Sequence, residues 1–319
     1  MKVLVTGAGG FIGSVVCEEL HRRGHNVVGV DSLNETLYPA ASRLTRIRDF
    51  HRRRIADIVV EDLRTCDVDA LLEGVEGVVH EAAIPGLGPS WTSIDEYCTN
   101  NILGTYRLAE AVTRSHVRSC ILASTSSVYG AIATGSEGSP LRPASPYGIT
   151  KLAAEQTWMS VVGPHPEITT AVLRYFSVYG PRQRPDMAIG RFMAAIAQGA
   201  PVTVTGSGTQ TRTFSYVTDI AEVTVSALEA RATGTFNIAG SEEVSVLQLV
   251  TLLGSVVGRD AKIVFQPPRR GDQLEVRGNT ELAREVLGFA PKVGLREGLT
   301  LQFRSLLDDQ LSGDPSGES

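Results

Sequence analysis

Short apolar runs alternate along the first half of the chain with longer stretches in which apolar residues return every three or four positions. Val3–Thr6, Val27–Asp31, Asp57–Val60, Gly77–His80, Cys120–Ser124 and Thr170–Arg174 predict strands. Between most of them, segments such as Ile12–Arg23, Ile94–Ser115 and Pro146–Val162 carry the period of a helix. Strand–helix alternation implies βαβ units and a doubly wound parallel sheet, an α/β fold with ligands at the carboxyl ends of its strands. After Arg174 the rhythm breaks. Loops rich in Gly, Pro and Arg appear at 180–185, 206–212 and 267–272. A helix at 219–231, a strand at 235–239 and a helix at 245–257 are expected beyond that point. The organisation predicted is a doubly wound domain over 1–175, with elements near 215–258 returning to it. A smaller lobe over 176–310 and a flexible tail over 311–319 complete it.

Composition narrows the class. A chain of 319 residues, 42% hydrophobic, can bury a large core. A net charge of -5 with no basic face argues against nucleic acid as partner. The arginines at 43, 46, 48, 52, 53 and 54 read as a solvated helix face. No apolar run reaches the ~20 residues of a membrane span, and Val3-Leu4-Val5 already reads as the first strand, so no leader segment is expected. Cys17, Cys66, Cys98 and Cys120 show neither paired nor metal-like spacing and suggest thiols in a reducing cytoplasm. No HExxH motif occurs, and no metal site is expected.

Candidate chemistry begins with Tyr147 and Lys151. Four residues apart on a helix, they share one face. An ammonium near a phenol favours the phenolate and turns a group with a pKa of ~10 into a usable base. The first strand runs into Gly7-Ala8-Gly9-Gly10-Phe11-Ile12-Gly13 and then a helix. Gly7, Gly10 and Gly13 allow a tight turn, and Phe11 and Ile12 open a helix whose free N–H groups favour a pyrophosphate. Asp31 ends the second strand, where a carboxylate can accept the ribose hydroxyls of NAD and repel the 2′-phosphate of NADP. Asp62-Leu63 closes another strand and either holds the adenine edge or caps a helix.

These pieces resemble the extended short-chain dehydrogenases/reductases of the NAD-dependent nucleotide-sugar epimerase/dehydratase family. The likeness adds His80-Glu81-Ala82-Ala83, Asn101-Ile102-Leu103-Gly104-Thr105, Ser124-Thr125-Ser126-Ser127-Val128-Tyr129-Gly130 and Arg174-Tyr175-Phe176-Ser177-Val178-Tyr179-Gly180-Pro181. It also includes 214–219 and 267–272, and so runs almost end to end. The resemblance implies NAD as cofactor, Tyr147 as base and acid, and Lys151 as the group that lowers its pKa and binds the nicotinamide ribose. Thr125 falls where the family keeps a hydroxyl bonded to the reacting group. Ala82, Ala83, Asn101 and Tyr175 fall at cofactor contacts. Arg191, Arg212 and Arg269 are candidates for a nucleotide diphosphate, or are surface salt bridges. A homodimer through the helices around 94–115 and 146–162 is likewise implied.

Ser126 and Ser127 stand where family dehydratases carry Asp-Glu, and Ser127 where family decarboxylases carry Glu. A hydroxyl does not replace a carboxylate base, so elimination and decarboxylation are disfavoured. C4 epimerisation of a UDP-hexose remains. Ser177, where many relatives have Asn, leaves room and a donor for a larger C6 group. With the run Arg184-Pro185-Asp186-Met187-Ala188 and the insert at 37–50, it resembles UDP-glucuronate 4-epimerases. Gly88 departs from those relatives, which often carry an arginine there. UDP-glucose and UDP-N-acetylglucosamine are the alternative substrates. A decarboxylase or dehydratase and a non-catalytic NAD-sensing protein are the alternatives of other kinds.

Overall fold

A computed structural model describes residues 1–312, with side chains through Asp308. Seven strands form one sheet: β1 (Lys2–Thr6), β2 (Asn26–Asp31), β3 (Asp57–Val60), β4 (Gly77–His80), β5 (Ser119–Thr125), β6 (Thr169–Tyr175) and β7 (Gly234–Ile238). Their order is β7-β6-β5-β4-β1-β2-β3, with every pair parallel. The order reverses between β1 and β4, and such a reversal opens a crevice at the strand ends. The doubly wound sheet is therefore present as the alternation predicted.

The central strands are apolar on both faces because helices cover both. Helices α1 (Phe11–Arg22) and α2 (Ala41–Arg53) lie on one side, where Val3, Val5, Val16, Leu20, Ile47 and Phe50 pack together. Helices α3 (Gly104–Thr113) and α4 (Pro146–Val162) lie on the other, where Leu4, Val78, Leu108, Val112, Leu122 and Trp158 pack together.

Helix α5 (Ala188–Gln198), helix α7 (Val246–Val257) and helix α8 (Leu295–Ser312) gather around a separate core that includes Ile189, Met193, Leu249, Leu253 and Leu299. Helix α6 (Val217–Glu229) packs with the sheet instead, through Ile220, Val223 and Leu228. The strand at 275–276 joins these parts. It pairs with Arg212 on one side and with Ala133, beyond β5, on the other. The tail expected at 311–319 lies outside the described residues except for Leu311 and Ser312, which end α8.

Two expectations change. The continuous helix over 94–115 is broken: an α-turn at 94–97 passes into a π-helical stretch, Cys98–Leu103, before α3 begins. The widened turn carries Asn101 inward, to 1% exposure. The arginine-rich helix is not uniformly solvated. Arg48, Arg52, Arg53 and Arg54 are exposed, but Arg43 is buried 3.6 Å from Asp31, and Arg46 donates to the carbonyls of Gly9 and Gly10. Positions 43 and 46 share a face one turn apart, and that face meets the glycine turn.

Candidate active site

The glycine turn joins β1 to α1. Gly7 has a φ of +68°, and a side chain on it would meet the Ala82 backbone at 3.0 Å. A side chain on Gly13 would run into the Gly7 carbonyl oxygen. The turn thus exists only as bare backbone, capped by Gly10 at the start of α1, where Phe11 and Ile12 expose the first free N–H groups. That cradle fits a pyrophosphate. Asp31 accepts from Gly9 N at 3.0 Å and Leu33 N at 2.8 Å, so it braces the turn as well as ending β2.

Asp62 forms an Asx turn, accepting from Arg64 N at 2.8 Å, and its carboxylate pairs with the Arg64 guanidinium at 2.7 Å. Arg64 holds its carboxyl below the usual range. Leu63 beside it is buried. Ala82 donates its N–H to Thr6 Oγ1, and Ala83 follows at the mouth of β4. The side chain of Asn101 accepts from Ile84 N at 2.7 Å and donates to Ile84 O and Thr150 Oγ1. It ties the end of β4 to α4.

Helix α4 is started by Ser145, whose hydroxyl accepts from Gly148 N at 3.1 Å, with Pro146 in its first turn. It packs unusually close to the turn after β5, because a side chain on Gly148 would lie 2.7 Å from Ser127 O. Only that approach brings Tyr147 to Thr125, whose hydroxyl bonds the phenol. Lys151, buried at 5% exposure, donates to Ala123 O at 2.8 Å.

The electrostatics differ from the simple Tyr–Lys picture. Burial pushes the Tyr147 phenol above its ordinary value; the Thr125 hydrogen bond and the positive charge of Arg184 pull it back, and Glu81 pushes it up. Burial lowers the Lys151 pKa while Glu81 and Glu155 hold its proton. Its ammonium donates to the Ala123 carbonyl.

Ser126 and Ser127 are buried in the turn after Thr125, and Gln273 Nε2 reaches Ser126 O from the C-terminal half at 3.4 Å. Ser177 follows β6 with a φ of +24°, a strained value for a residue other than glycine. Arg212 is held by Thr211 O and Gln273 O, and shares the charge of Asp272 with the exposed Arg269. Arg191 is exposed on α5, and among the described residues its side chain joins none of these bonds. Tyr175 spends its hydroxyl on Glu81 at 2.9 Å and Thr224 at 2.8 Å.

Two groups escaped the sequence reading. Arg184 is buried, pairs with Asp186 at 3.0 Å, and lies 3.8 Å from where a Gly86 side chain would stand. Its membership of the 184–188 run was the available signal. Glu81 sat inside a quoted motif, but nothing in the sequence says that its side chain turns toward Tyr175.

The family model of the NAD dependent epimerase/dehydratase family matches residues 3–239. Over 96% of its length, the chain is 39% identical to the uncharacterized UDP-glucose epimerase YtcB of Bacillus subtilis (strain 168), covering 98% of that relative. It is 31% identical to the UDP-glucuronate 4-epimerase of Thermodesulfobacterium geofontis (strain OPF15), over 93% of each chain. The UDP-glucuronic acid 4-epimerase of Bacillus cereus, solved with UDP-glucuronic acid and NAD, superposes with a TM-score of 0.92 at 37% identity, over 97% of this chain and 99% of that one.

Proposed function

This chain belongs to the NAD-dependent epimerase/dehydratase family, and from that membership we propose that it inverts C4 of UDP-glucuronate to give UDP-galacturonate, through a 4-keto sugar. The observation that carries the reading is the Thr125–Tyr147 hydroxyl pair followed by Ser126 and Ser127, with no carboxylate at those positions. Tyr147 takes the proton of the C4 hydroxyl and later returns it, and Thr125 holds the same hydroxyl in line. Bound NAD supplies the chemistry of accepting a hydride and giving it back. Lys151 keeps a buried positive charge for the nicotinamide ribose. Gly7, Gly10 and Gly13 cradle the pyrophosphate, with Asp31 behind them. Ser126 and Ser127 bind sugar hydroxyls but lack the basicity to pull a proton from carbon, so the keto sugar turns over and is reduced on its other face.

Arg212, and Arg269 beside it, carry the diphosphate; Arg191 needs a movement of α5 or of the substrate to join them. With glycine at 88, the cation for a C6 carboxylate is Arg184, buried beside Gly86. Pinning that carboxylate opposes loss of CO2 from the β-keto acid. A second reading, UDP-glucose as substrate, is favoured by the Asp186 partner that already offsets the Arg184 charge. NMR of the product from UDP-glucuronate tests both. UDP-galacturonate is expected; UDP-xylose or a 4-keto pentose overturns the epimerase reading, and turnover of UDP-glucose alone selects the second.

No helix among the described residues is long and apolar enough to cross a membrane. We assign the chain to the cytoplasm, in keeping with four cysteines that form no disulfide. A homodimer is supported by α4, α3 and the π stretch before α3, where Ile149 and Met159, Tyr106, and Leu103 respectively are exposed.

A further inference from the structure

Glu81 is an acidic side chain at the mouth of the crevice with no part in the proton transfer just described. It follows β4 directly, its backbone N–H bonded to Thr6 O at 3.3 Å, beside the glycine turn, where a side chain on Gly7 would touch its carbonyl carbon at 3.1 Å. Its carboxylate is held by the Tyr175 hydroxyl. It therefore sits between the phosphate cradle and the Tyr147–Lys151 pair, on the path a dinucleotide takes from one to the other.

We propose that Glu81 sets the balance between oxidised and reduced nicotinamide in the bound cofactor, its carboxylate carrying negative charge against the oxidised ring and taking up one proton when the ring is reduced. The inference rests on the NAD-binding reading above. The bookkeeping closes over a turnover. As hydride leaves C4 of the sugar and the hydroxyl proton goes to Tyr147, the ring loses its positive charge, and Glu81 takes a proton from solvent. When hydride returns to the sugar, the ring regains its charge and Glu81 releases that proton. A fixed anion at this position would hold the cofactor oxidised and oppose the first hydride transfer. A permanently neutral group would favour the reduced cofactor and prolong the exposed keto sugar. A carboxyl that changes charge in step with the ring avoids both.

The surroundings suit such a group. The titratable groups facing Glu81 are Lys151 and Tyr147 from α4, Tyr175 from β6 and Cys17 from α1, while α6 contributes only the Thr224 hydroxyl. Burial of the carboxyl pushes its pKa up to about 7, against the Tyr175 hydrogen bond and the Lys151 charge that favour the anion. Thr224 donates to Ile220 O, so the Tyr175 proton is shared between Glu81 and Thr224.

The test measures affinities for NAD+ and NADH on the intact protein, by NADH fluorescence and competition, from pH 6 to 8.5. Glu81→Gln keeps a group that can accept from Tyr175 and removes the charge. At pH 8 the affinity ratio should shift about tenfold toward NADH, a rise of ~30 mV in the bound potential for a two-electron couple. The wild-type ratio should change through the neutral range, and the variant ratio should stay flat. Thr224→Val commits the Tyr175 proton to Glu81 and should move the wild-type step to lower pH. Equal ratios in wild type and Glu81→Gln overturn the inference, and so does a flat wild-type profile. If Glu81→Gln does not fold, the wild-type profile and its displacement in Thr224→Val decide. A protein that binds neither nucleotide sinks the cofactor reading, a different and separable failure.

Discussion

Tyr147 shows how far a residue's chemistry depends on its surroundings. Its phenol is pushed up by burial, and the groups that oppose this are Thr125 and Arg184. Epimerisation should therefore accelerate with rising pH through and beyond neutrality, as the phenolate fraction grows. Tyr147→Phe should lower turnover by at least about a thousandfold while bound nucleotide is retained, measured by sugar NMR and absorbance; activity within tenfold of wild type removes Tyr147 as base. Glu81 carries a stability consequence of its own. Its folded pKa of about 7 lies above the ordinary value of 4.5. Its contribution is thus fully present below pH ~4.5 and is lost as pH rises through 7. The ceiling is ~3.5 kcal/mol at one unit per ~1.4 kcal/mol, and the partial exposure of Glu81 reduces it. Glu81→Gln should raise the melting temperature of the ligand-free protein at pH 8 and leave it nearly unchanged at pH 4.5; an equal shift at both values argues against ionisation as the cause.

At the scale of elements, the site depends on how closely α4 approaches the end of β5. Gly148 is the point of contact. In Gly148→Ala the new methyl group meets the Ser127 carbonyl, so the helix must retreat from Thr125. Retreat by a fraction of an ångström lengthens the Thr125–Tyr147 hydrogen bond, and turnover should fall about a hundredfold with far-ultraviolet circular dichroism unchanged. Wild-type turnover in that variant means the contact relaxes elsewhere. A second brace lies beneath the helix. Glu155, one turn beyond Lys151, accepts from Arg174 at 2.7 Å and from Ser124, and so fastens α4 to β5 and β6 at once. The π stretch at 98–103 adds a third through Asn101 and Thr150. The extent of α4 was legible in its periodicity, but the π turn was not. An added residue per turn leaves the apolar pattern nearly intact and changes only which side chain faces inward.

In the whole molecule, the segment after β7 reaches the turn after β5 and the loop before α3 at separate points. Arg270 stacks on the Trp91 ring at 3.9 Å, and Gln273 holds Ser126 O and Gly130 O. Apolar side chains on α4 and the π stretch are left uncovered. The double variant Leu103→Glu, Met159→Glu should sediment as a monomer where the wild type sediments as a dimer. A wild-type monomer, or a dimer that survives both charges, refutes the assembly.

By itself the sequence determined the doubly wound sheet, the glycine turn and the Tyr147–Lys151 pair, because each is a local matter. Strand and helix periods repeat within a few residues, a turn without side chains needs glycine wherever the chain must be bare, and positions four apart on a helix share a face. The tertiary structure alone decided who acts on whom. It set the Lys151 ammonium on the Ala123 carbonyl, placed the charge of Arg184 where it draws on the phenol, and brought Arg43 and Arg46 from a supposedly solvated face to Asp31 and the glycine turn. Charge acts through space, and the partners of these groups lie tens of residues away along the chain, where no spacing rule reaches.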